Sequence, residues 1–308
     1  FYGEKDTAER EKSFKDLVER VSDTYVKCAL NQGYLNEQES RIFKEEIANL
    51  TLTQRMSFNS PVWFNVGTDR YPSRRSKDKK EAYVIKGDKA IKIPKGQDHL
   101  YPQTSACFIQ GLNDTMEDIM RLAVNEAMLF KYGSGTGTDL SNLRSSRERL
   151  SGGGKPSGPL TFWAHYDKLA GGVKSGGKTR RAAKMHSLRI DHPDIKEFIE
   201  SKSIEEKKIG ILIDNGIESK EAINSVNYQN TNVSVRVSDK FMKAVENNEE
   251  WRTFAVHNPE LDDAKNPDGN WIIPRYNARE LLHLIAQCTH DCGDPGMQFD
   301  DTINIWHT

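Results

Sequence analysis

Residues 159–190 read PLTFWAHYDKLAGGVKSGGKTRRAAKMHSLRI, and the order of the patterns in this stretch decides the fold. Phe162, Tyr166 and Leu169 share one face at helical spacing, which predicts an amphipathic helix over residues 159–170. Residues 184–190 alternate as a β-strand does. The stretch therefore predicts a helix, a glycine-rich loop and a strand in that order, which is the order found in α/β units.

The glycine-rich loop is strongly basic. It carries five positive charges from Lys174 to Lys184 and no acid. Its glycines leave the backbone free to move, and its charges favour a polyanion such as a nucleotide phosphate. We therefore do not expect this segment to lie in a core. It also matches the P-loop pattern GxxxxGK[ST] from Gly172 to Thr179.

The context of this match argues against a P-loop NTPase. A P-loop follows a buried strand and precedes a helix, so that the N-terminus of the helix faces the phosphates. Here the predicted order is the reverse. The apolar run Ile209 to Asp214 resembles the strand and aspartate that hold magnesium in such enzymes, but apolar strands that end in Asp are common. Only ATP hydrolysis that is lost on Lys178→Ala would restore this interpretation.

The composition favours a protein with a large core and a reducing, cytoplasmic location. The chain has 308 residues, enough for a large core, and a formal net charge of −1, which does not favour nucleic acid or a membrane surface. No apolar run approaches the roughly 20 residues that span a bilayer, and no secretory signal is evident. The four cysteines are too few and too scattered for a disulfide framework. Because the chain begins at Phe1 and ends without a polar tail, we expect a fragment or a processed piece.

Strand and helix patterns alternate through the rest of the chain. Residues 8–50 have helical spacing, and the basic segment 70–95 is typical of a solvated loop or β-hairpin, with a phosphate-binding patch as the alternative. Further on, Asn113 or Asp114 is expected to cap a helix, with Glu117 completing a capping box. This alternation predicts an α/β architecture with a largely parallel sheet. We expect a buried strand at 105–110, a glycine turn at 133–137, strands at 185–190 and 233–237, a turn at 294–296 before a short apolar stretch at 297–299, and helices at 116–130, after Pro193, after Ser238 and at 281–288.

Seven blocks in sequence order resemble the large catalytic subunit of ribonucleotide reductase, in its adenosylcobalamin-dependent (class II) form. The resemblance implies an N-terminal helical region (residues 1–55) followed by the first half of a ten-stranded α/β barrel (residues 56–308), which includes an effector-binding segment. The blocks are FNSPVWFN (58–65), QTSACF (103–108), GSGTG (133–137), SGGKTRRAAKM (175–185), DHPDIKEF (191–198), NTNVSVRV (230–237) and DPGMQFDDTIN (294–304).

The resemblance implies that the enzyme replaces the ribose 2′-hydroxyl of a ribonucleotide with hydrogen. A cysteine thiyl radical, formed after homolysis of the cobalt–carbon bond of adenosylcobalamin, abstracts the 3′-hydrogen, and two further cysteines become a disulfide. Cys107 matches the first of these reducing cysteines, and Ser60, Ala106 and Gly135 match substrate-lining positions. From the residues alone, each of these positions also has a purely structural interpretation. Cys107 would be a small buried residue of a strand, Ser60 a turn or cap residue, and Gly135 a glycine in a tight turn.

The resemblance also implies an allosteric site for a deoxynucleotide effector that sets specificity. Asp114 and Arg144 match the acidic and basic residues of that site, and a cap role for Asp114 is compatible with it. Lys178, Arg180 and Arg181 of the basic loop are expected to touch the effector or the substrate. The family places the effector at a dimer interface, so a homodimer is implied.

The sequence lacks the Asn-Pro-Cys-x-Glu motif that carries the radical cysteine in the family. We therefore predict that this chain alone is inactive and that it needs the C-terminal half of the enzyme and a thioredoxin-type reductant. The alternative is a non-catalytic nucleotide-binding or regulatory half of a split reductase. Cys288, His290 and Cys292 have poor spacing for zinc, so no metal site is expected.

Overall fold

The computed structural model describes residues 2–71, 82–86, 89–94, 101–102, 104–131, 134–173 and 183–307. The chain forms two compact units, Phe1–Ala106 and Cys107–Thr308. The boundary predicted from the sequence, between residues 55 and 56, falls inside the first unit. The predicted extent of the barrel region, residues 56–308, stays a prediction.

The first unit is helical with one small hairpin. Its first two helices begin at capping boxes: Ser13 with Asp16 for the first, and Asn36 with Glu39 for the second. The pattern over residues 8–50 therefore predicted this region correctly, and the hairpin predicted within 70–95 is present. The elements are α1 (Phe14–Asn31), α2 (Glu37–Leu52), α3 (Ser60–Asn65), β1 (Ala82–Lys86) and β2 (Lys89–Ile93).

The second unit alternates strands with helices, as the sequence predicts. Its elements, in chain order, are β3 (Cys107–Gln110), α4 (Met116–Lys131), β4 (Gly135–Asp139), α5 (Gly158–Gly172), β5 (Lys184–Arg189), α6 (Ile195–Asp214), α7 (Ser219–Ser225), β6 (Thr231–Val237), α8 (Asp239–Asn247), β7 (Glu250–Arg252), β8 (Arg275–Asn277), α9 (Ala278–Cys292), β9 (Gly296–Phe299) and α10 (Asp300–Trp306).

The central sheet of the second unit has the order β3-β4-β5-β6-β9, and every neighbouring pair is parallel. Successive strands lie side by side without a reversal of direction along the sheet. Right-handed crossovers in such a sheet all fall on one face, whereas a doubly wound sheet reverses its order and covers both faces. The observed order is that of part of an α/β barrel, which confirms the predicted fold class.

The hydrophobic core lies between this sheet and its helices. Val233, Val235 and Val237 alternate along β6 and are buried. Trp163 of α5 is fully buried and stacks on Tyr228, with 3.8 Å between ring centroids. The opposite side of the sheet is called here the open face. It carries Cys107 and Ile109 of β3, Gly135 and Asp139 of β4, and Arg236 of β6.

The order helix–loop–strand is confirmed, because α5 ends at Gly172 and β5 begins at Lys184. The P-loop interpretation therefore fails on context. The basic-loop residues Lys178, Arg180 and Arg181 lie outside the described residues.

Four local predictions from the sequence are wrong. Ile209 to Asp214 is the last part of helix α6 and not a strand. The glycine segment continues from residue 135 as strand β4 instead of a turn. The strand predicted as buried lies at the edge of the sheet, where Ile109 is 83% exposed on the open face. Thr115 caps α4, since its hydroxyl accepts the Asp118 N–H at 3.2 Å.

No helix in the described part of the chain is long and apolar enough to cross a membrane.

Candidate functional site

Cys107 is the first residue of the edge strand β3, and its thiol is exposed. In the parallel register it lies directly beside Gly135, the first residue of β4. The expected reducing cysteine and one expected substrate-lining glycine are therefore neighbours at the amino-terminal edge of the sheet.

Gly135 is needed for close packing. A Cβ atom at this position would lie 3.0 Å from the Ala183 carbonyl oxygen and 3.3 Å from the Cys107 Sγ atom. Both distances are tighter than ordinary contacts, so a side chain there would press on the thiol. The glycine thus keeps the space beside the Cys107 thiol open.

Ser60 and Ala106 belong to the first unit. Ser60 is the first residue of the short helix α3, and Ala106 is buried just before the boundary of the unit.

Asp114 and Arg144, which match the effector residues, lie together beyond the carboxyl ends of β3 and β4. The Arg144 Nε–H donates to Asp114 Oδ2 at 2.5 Å, and the His257 Nε2 atom lies 3.1 Å from the same oxygen. The Asp114 side chain is 9% exposed and that of Arg144 is 23% exposed. The carboxyl edge of a parallel sheet is where ligands commonly bind, and this edge offers a guanidinium for a phosphate and a carboxylate for a hydroxyl.

His257 was missed in the sequence because no local pattern links it to Asp114. Its loop is fixed by Glu148, which is 1% exposed. The Glu148 carboxylate accepts the backbone N–H groups of Val256 at 3.1 Å, of His257 at 2.7 Å and of Asn258 at 3.0 Å. It also accepts the backbone N–H of Ser145, next to Arg144, at 2.7 Å. One buried carboxylate therefore ties the loop of His257 to the loop of Arg144.

A second buried acid holds the loop of Arg144 on its other side. Asp194 accepts the Ser145 hydroxyl at 2.8 Å and the Ser146 backbone N–H at 2.9 Å. His192 Nδ1 accepts the Asp194 N–H at 3.1 Å, so its Nε2–H donates to the Leu143 carbonyl at 2.9 Å. Burial lowers the pKa of His192, which favours this neutral form. The loop of Arg144 is thus held by the Asp194 carboxylate and the neutral His192 imidazole.

The open face carries an ion network nearer the carboxyl ends of the strands. Arg236 of β6 binds both Asp139 of β4 and Asp300 of α10, and its Nε donates to Asp300 at 2.8 Å. Hydrogen bonds with these carboxylates raise the pKa of Arg236, although burial acts against them. The network links the second and fourth strands of the sheet.

Lys184, the last basic residue of the glycine-rich segment, lies in the core, contrary to the expectation from the sequence. Its side chain is fully buried on the helix side of the sheet, where its Nζ binds Glu126 of α4 and lies 4.3 Å from the Tyr166 ring centroid. Burial lowers the pKa of Lys184 to about 8 and raises that of Glu126, although the two charges attract. Thr136 completes the cluster by donating to Glu126 at 3.0 Å. The last basic residue of the segment is therefore part of the core.

Within the described ranges, no group of three or more His, Cys, Asp or Glu side chains is placed to hold a metal ion. Cys292 Sγ contacts the Cys288 carbonyl oxygen at 3.3 Å, and His290 is solvent-exposed. These residues do not form a ligand set for the cobalt of a cobalamin, and we assign no cobalamin contact to this chain.

The matching family model and the similar known proteins all point to the same family. The model of the ribonucleotide reductase barrel domain matches residues 105–308. The chain is 48% identical to a vitamin B12-dependent ribonucleotide reductase of Rhodopirellula baltica, over 100% of this chain and 29% of the relative. It is 43% identical to the Streptomyces clavuligerus enzyme of the same name, over 100% of this chain and 28% of the relative.

A Mycobacterium tuberculosis protein named vitamin B12-dependent ribonucleoside-diphosphate reductase is 35% identical over 65% of this chain and 25% of that protein. The chain thus spans less than a third of the length of these curated relatives. The parallel sheet in sequence order, the blocks along it and the matched barrel domain agree, and the chain belongs to the ribonucleotide reductase family.

Proposed function

We propose that this chain forms part of a cobalamin-dependent ribonucleotide reductase that converts ribonucleotides to deoxyribonucleotides. The observation that carries the proposal is the position of Cys107. Its exposed thiol lies beside Gly135 on the open face of the five-stranded parallel sheet. Adenosylcobalamin, when bound, supplies the homolysis that begins radical chemistry. The names of the relatives support the cobalamin and leave its adenosyl form as part of the proposal.

Cys107 serves as one of the two reducing thiols. In the net step the ribose C2′–OH bond breaks, a C2′–H bond forms and water leaves. The Cys107 thiol and a second thiol together give up two hydrogen atoms and become a disulfide. A thioredoxin-type dithiol then restores both thiols by exchange. An exposed thiol suits this role, because both the substrate and the reductant must reach the sulfur.

Asp114 and Arg144 form the core of a site for a deoxynucleotide effector. The contact between them supports this assignment, since residues matched separately to the effector site meet at the ligand-binding edge of the sheet. Arg144 suits a phosphate oxygen, and Asp114 suits a sugar hydroxyl. The basic loop with Lys178, Arg180 and Arg181 is proposed to pass the state of this site to the substrate.

A homodimer is proposed through helix α4, which follows Asp114. An exposed apolar stripe runs along this helix at a spacing of four residues, and its members are Met116, Met120, Val124 and Met128. A second copy of the chain would cover the stripe and bring two effector sites close to one interface.

The reductase proposal is tested in a chimaera in which these 308 residues replace the matching segment of the Rhodopirellula baltica relative. We expect the chimaera to reduce ribonucleotides with adenosylcobalamin and a dithiol, and the isolated chain to show no turnover. The Cys107→Ser variant should lose turnover, whereas Cys28→Ser, at another exposed cysteine, should keep it. Full turnover by Cys107→Ser would overturn the assignment of Cys107.

A further inference from the structure

The proposed effector site is closed on itself in this structure. Asp114 Oδ2 has the Arg144 Nε atom at 2.5 Å and the His257 Nε2 atom at 3.1 Å. The Asp114 carboxylate therefore neutralises the charge of Arg144. Only the Nε–H of Arg144 donates to Asp114, so the other N–H groups of its guanidinium can meet a phosphate while the pair holds. A second positive group beside the poorly exposed Asp114 carboxylate would share that carboxylate and leave more of the charge of Arg144 for a phosphate.

We propose that His257 is that group: an affinity-determining residue of the effector site whose protonated imidazole shares Asp114 with Arg144, so that the site carries a net positive charge towards the phosphates of a deoxynucleotide. This inference rests on the proposed effector function of Asp114 and Arg144. Its immediate basis is that His257 lies 3.1 Å from the Asp114 oxygen that Arg144 binds.

The charges of the site agree with this role of His257. Asp114 and Arg144 sum to zero, so the closed pair offers no net attraction to an anion. Histidine is the side chain that gains a charge near neutral pH, and protonated His257 brings the sum to +1. By linkage, an anion that binds this charged state favours protonation to the same degree.

The imidazole is held in place before any ligand arrives. Glu148 accepts the His257 backbone N–H at 2.7 Å and those of both neighbours, and the Arg149 N–H donates to the Asn258 side chain at 3.0 Å. A fixed loop loses little further conformational entropy when a ligand binds. The charged groups that face the ring and its loop are Asp114 with Arg144 behind it, Glu148, Arg149, Asp262 on the Ala255 N–H and Glu260 on the Asn258 side chain.

The test is calorimetric titration of dTTP and of dGTP into the 308-residue chain at about pH 8 and about pH 6, which bracket the titration of a histidine. The variants are His257→Gln, which keeps a hydrogen-bond donor without a charge, and the control His290→Gln. His290 is likewise exposed beside a carboxylate, 3.6 Å from Asp291, but it lies at the end of α9. Because the terminal phosphate of the ligand also titrates, each variant is compared with wild type at the same pH, and circular dichroism checks that all of them are folded.

We expect His257→Gln to bind like wild type at the higher pH and about threefold more weakly at the lower pH, the scale of one partly exposed charge pair. His290→Gln should match wild type at both pH values. If wild type binds but His257→Gln has the same affinity at both pH values, the role of His257 is overturned and the effector assignment stands. If wild type binds neither nucleotide at either pH, the effector assignment itself fails, and this inference with it.

Discussion

At the scale of single residues, charge alone is a poor guide to position in this chain. Lys184 looks like one more cation of a solvated loop, yet it is buried because Glu126 lies 58 residues earlier on a helix that packs against the same sheet. Asp114, Arg144 and His257 meet in a similar way across long stretches of sequence. The resemblance identified Asp114 and Arg144 separately, whereas no pattern pointed to His257, since contacts between residues so distant in sequence leave no periodic pattern.

The buried histidines give the chain a stability that depends on pH. Burial holds the pKa of His186 well below its ordinary value of 6.5 and lowers that of His192, so both are neutral in the folded chain. The unfolded chain binds a proton at each as the pH falls below 6.5. The free energy of unfolding should therefore fall on acidification, by at most about 1.4 kcal/mol per pH unit for each histidine. Urea unfolding at about pH 7.5 and about pH 5.5 measures this change.

His186→Leu should show a shallower fall than wild type. The ring of His186 packs between aromatic side chains, its Nε2 has no hydrogen-bond partner among the described residues, and its Nδ1 lies 3.4 Å from the Thr138 carbonyl oxygen. Leucine therefore removes the titrating group at the cost of one long polar contact. His290→Gln, on the surface, should keep the wild-type slope. A free energy of unfolding that stays constant or rises towards acid pH would contradict this account.

Among the helices and strands, sequence periodicity predicted the elements whose structure is determined by the local sequence. The helix at 159–170 and the strands at 184–190 and 233–237 are present because their apolar positions repeat over short distances. The run from Ile209 to Asp214 failed as a strand because α6 continues through it, and an apolar run this short fits either structure. The glycines of β4 failed as a turn because the sheet, and not the local sequence, requires them there.

Gly135→Ala tests that requirement at strand β4. The new methyl group would lie 3.0 Å from the Ala183 carbonyl oxygen and 3.3 Å from the Cys107 thiol. We expect the substitution to lower the free energy of unfolding by about 1–2 kcal/mol, as overpacking does, and to slow alkylation of Cys107 by iodoacetamide. The matched control is Gly111→Ala, just after β3, where a methyl group meets nothing within 4 Å. Equal stability and equal alkylation rates in both variants would show that β4 does not need the glycine.

At the scale of the whole molecule, the sequence predicted an α/β fold, and the strand order without reversal identifies part of a barrel sheet. Association of copies is the next level. The exposed stripe of α4 predicts that the chain sediments with twice its mass of 35.0 kDa at high concentration. Met120→Glu with Val124→Glu should give the monomer, since two charges would be buried at the interface.

The matched control for the dimer is Ile211→Glu, which places a charge on an equally exposed apolar position of α6. Analytical ultracentrifugation should find this variant unchanged. A wild-type chain that stays monomeric at every concentration, or a dimer that Ile211→Glu disrupts as much as the α4 variant does, would contradict the proposed interface.

The edge of the sheet at Asp114 and Arg144 is proposed to bind a deoxynucleotide. Calorimetric titration of dTTP at one pH, near neutral, into wild type, Arg144→Ala and Arg252→Ala tests this proposal most directly. Arg252 also pairs with an aspartate, Asp263, at 2.8 Å, and it lies on β7. We expect Arg144→Ala to weaken binding at least about tenfold, the scale of a lost charge-assisted phosphate contact, and Arg252→Ala to bind like wild type. Binding of dTTP that is unchanged by Arg144→Ala would contradict the proposal.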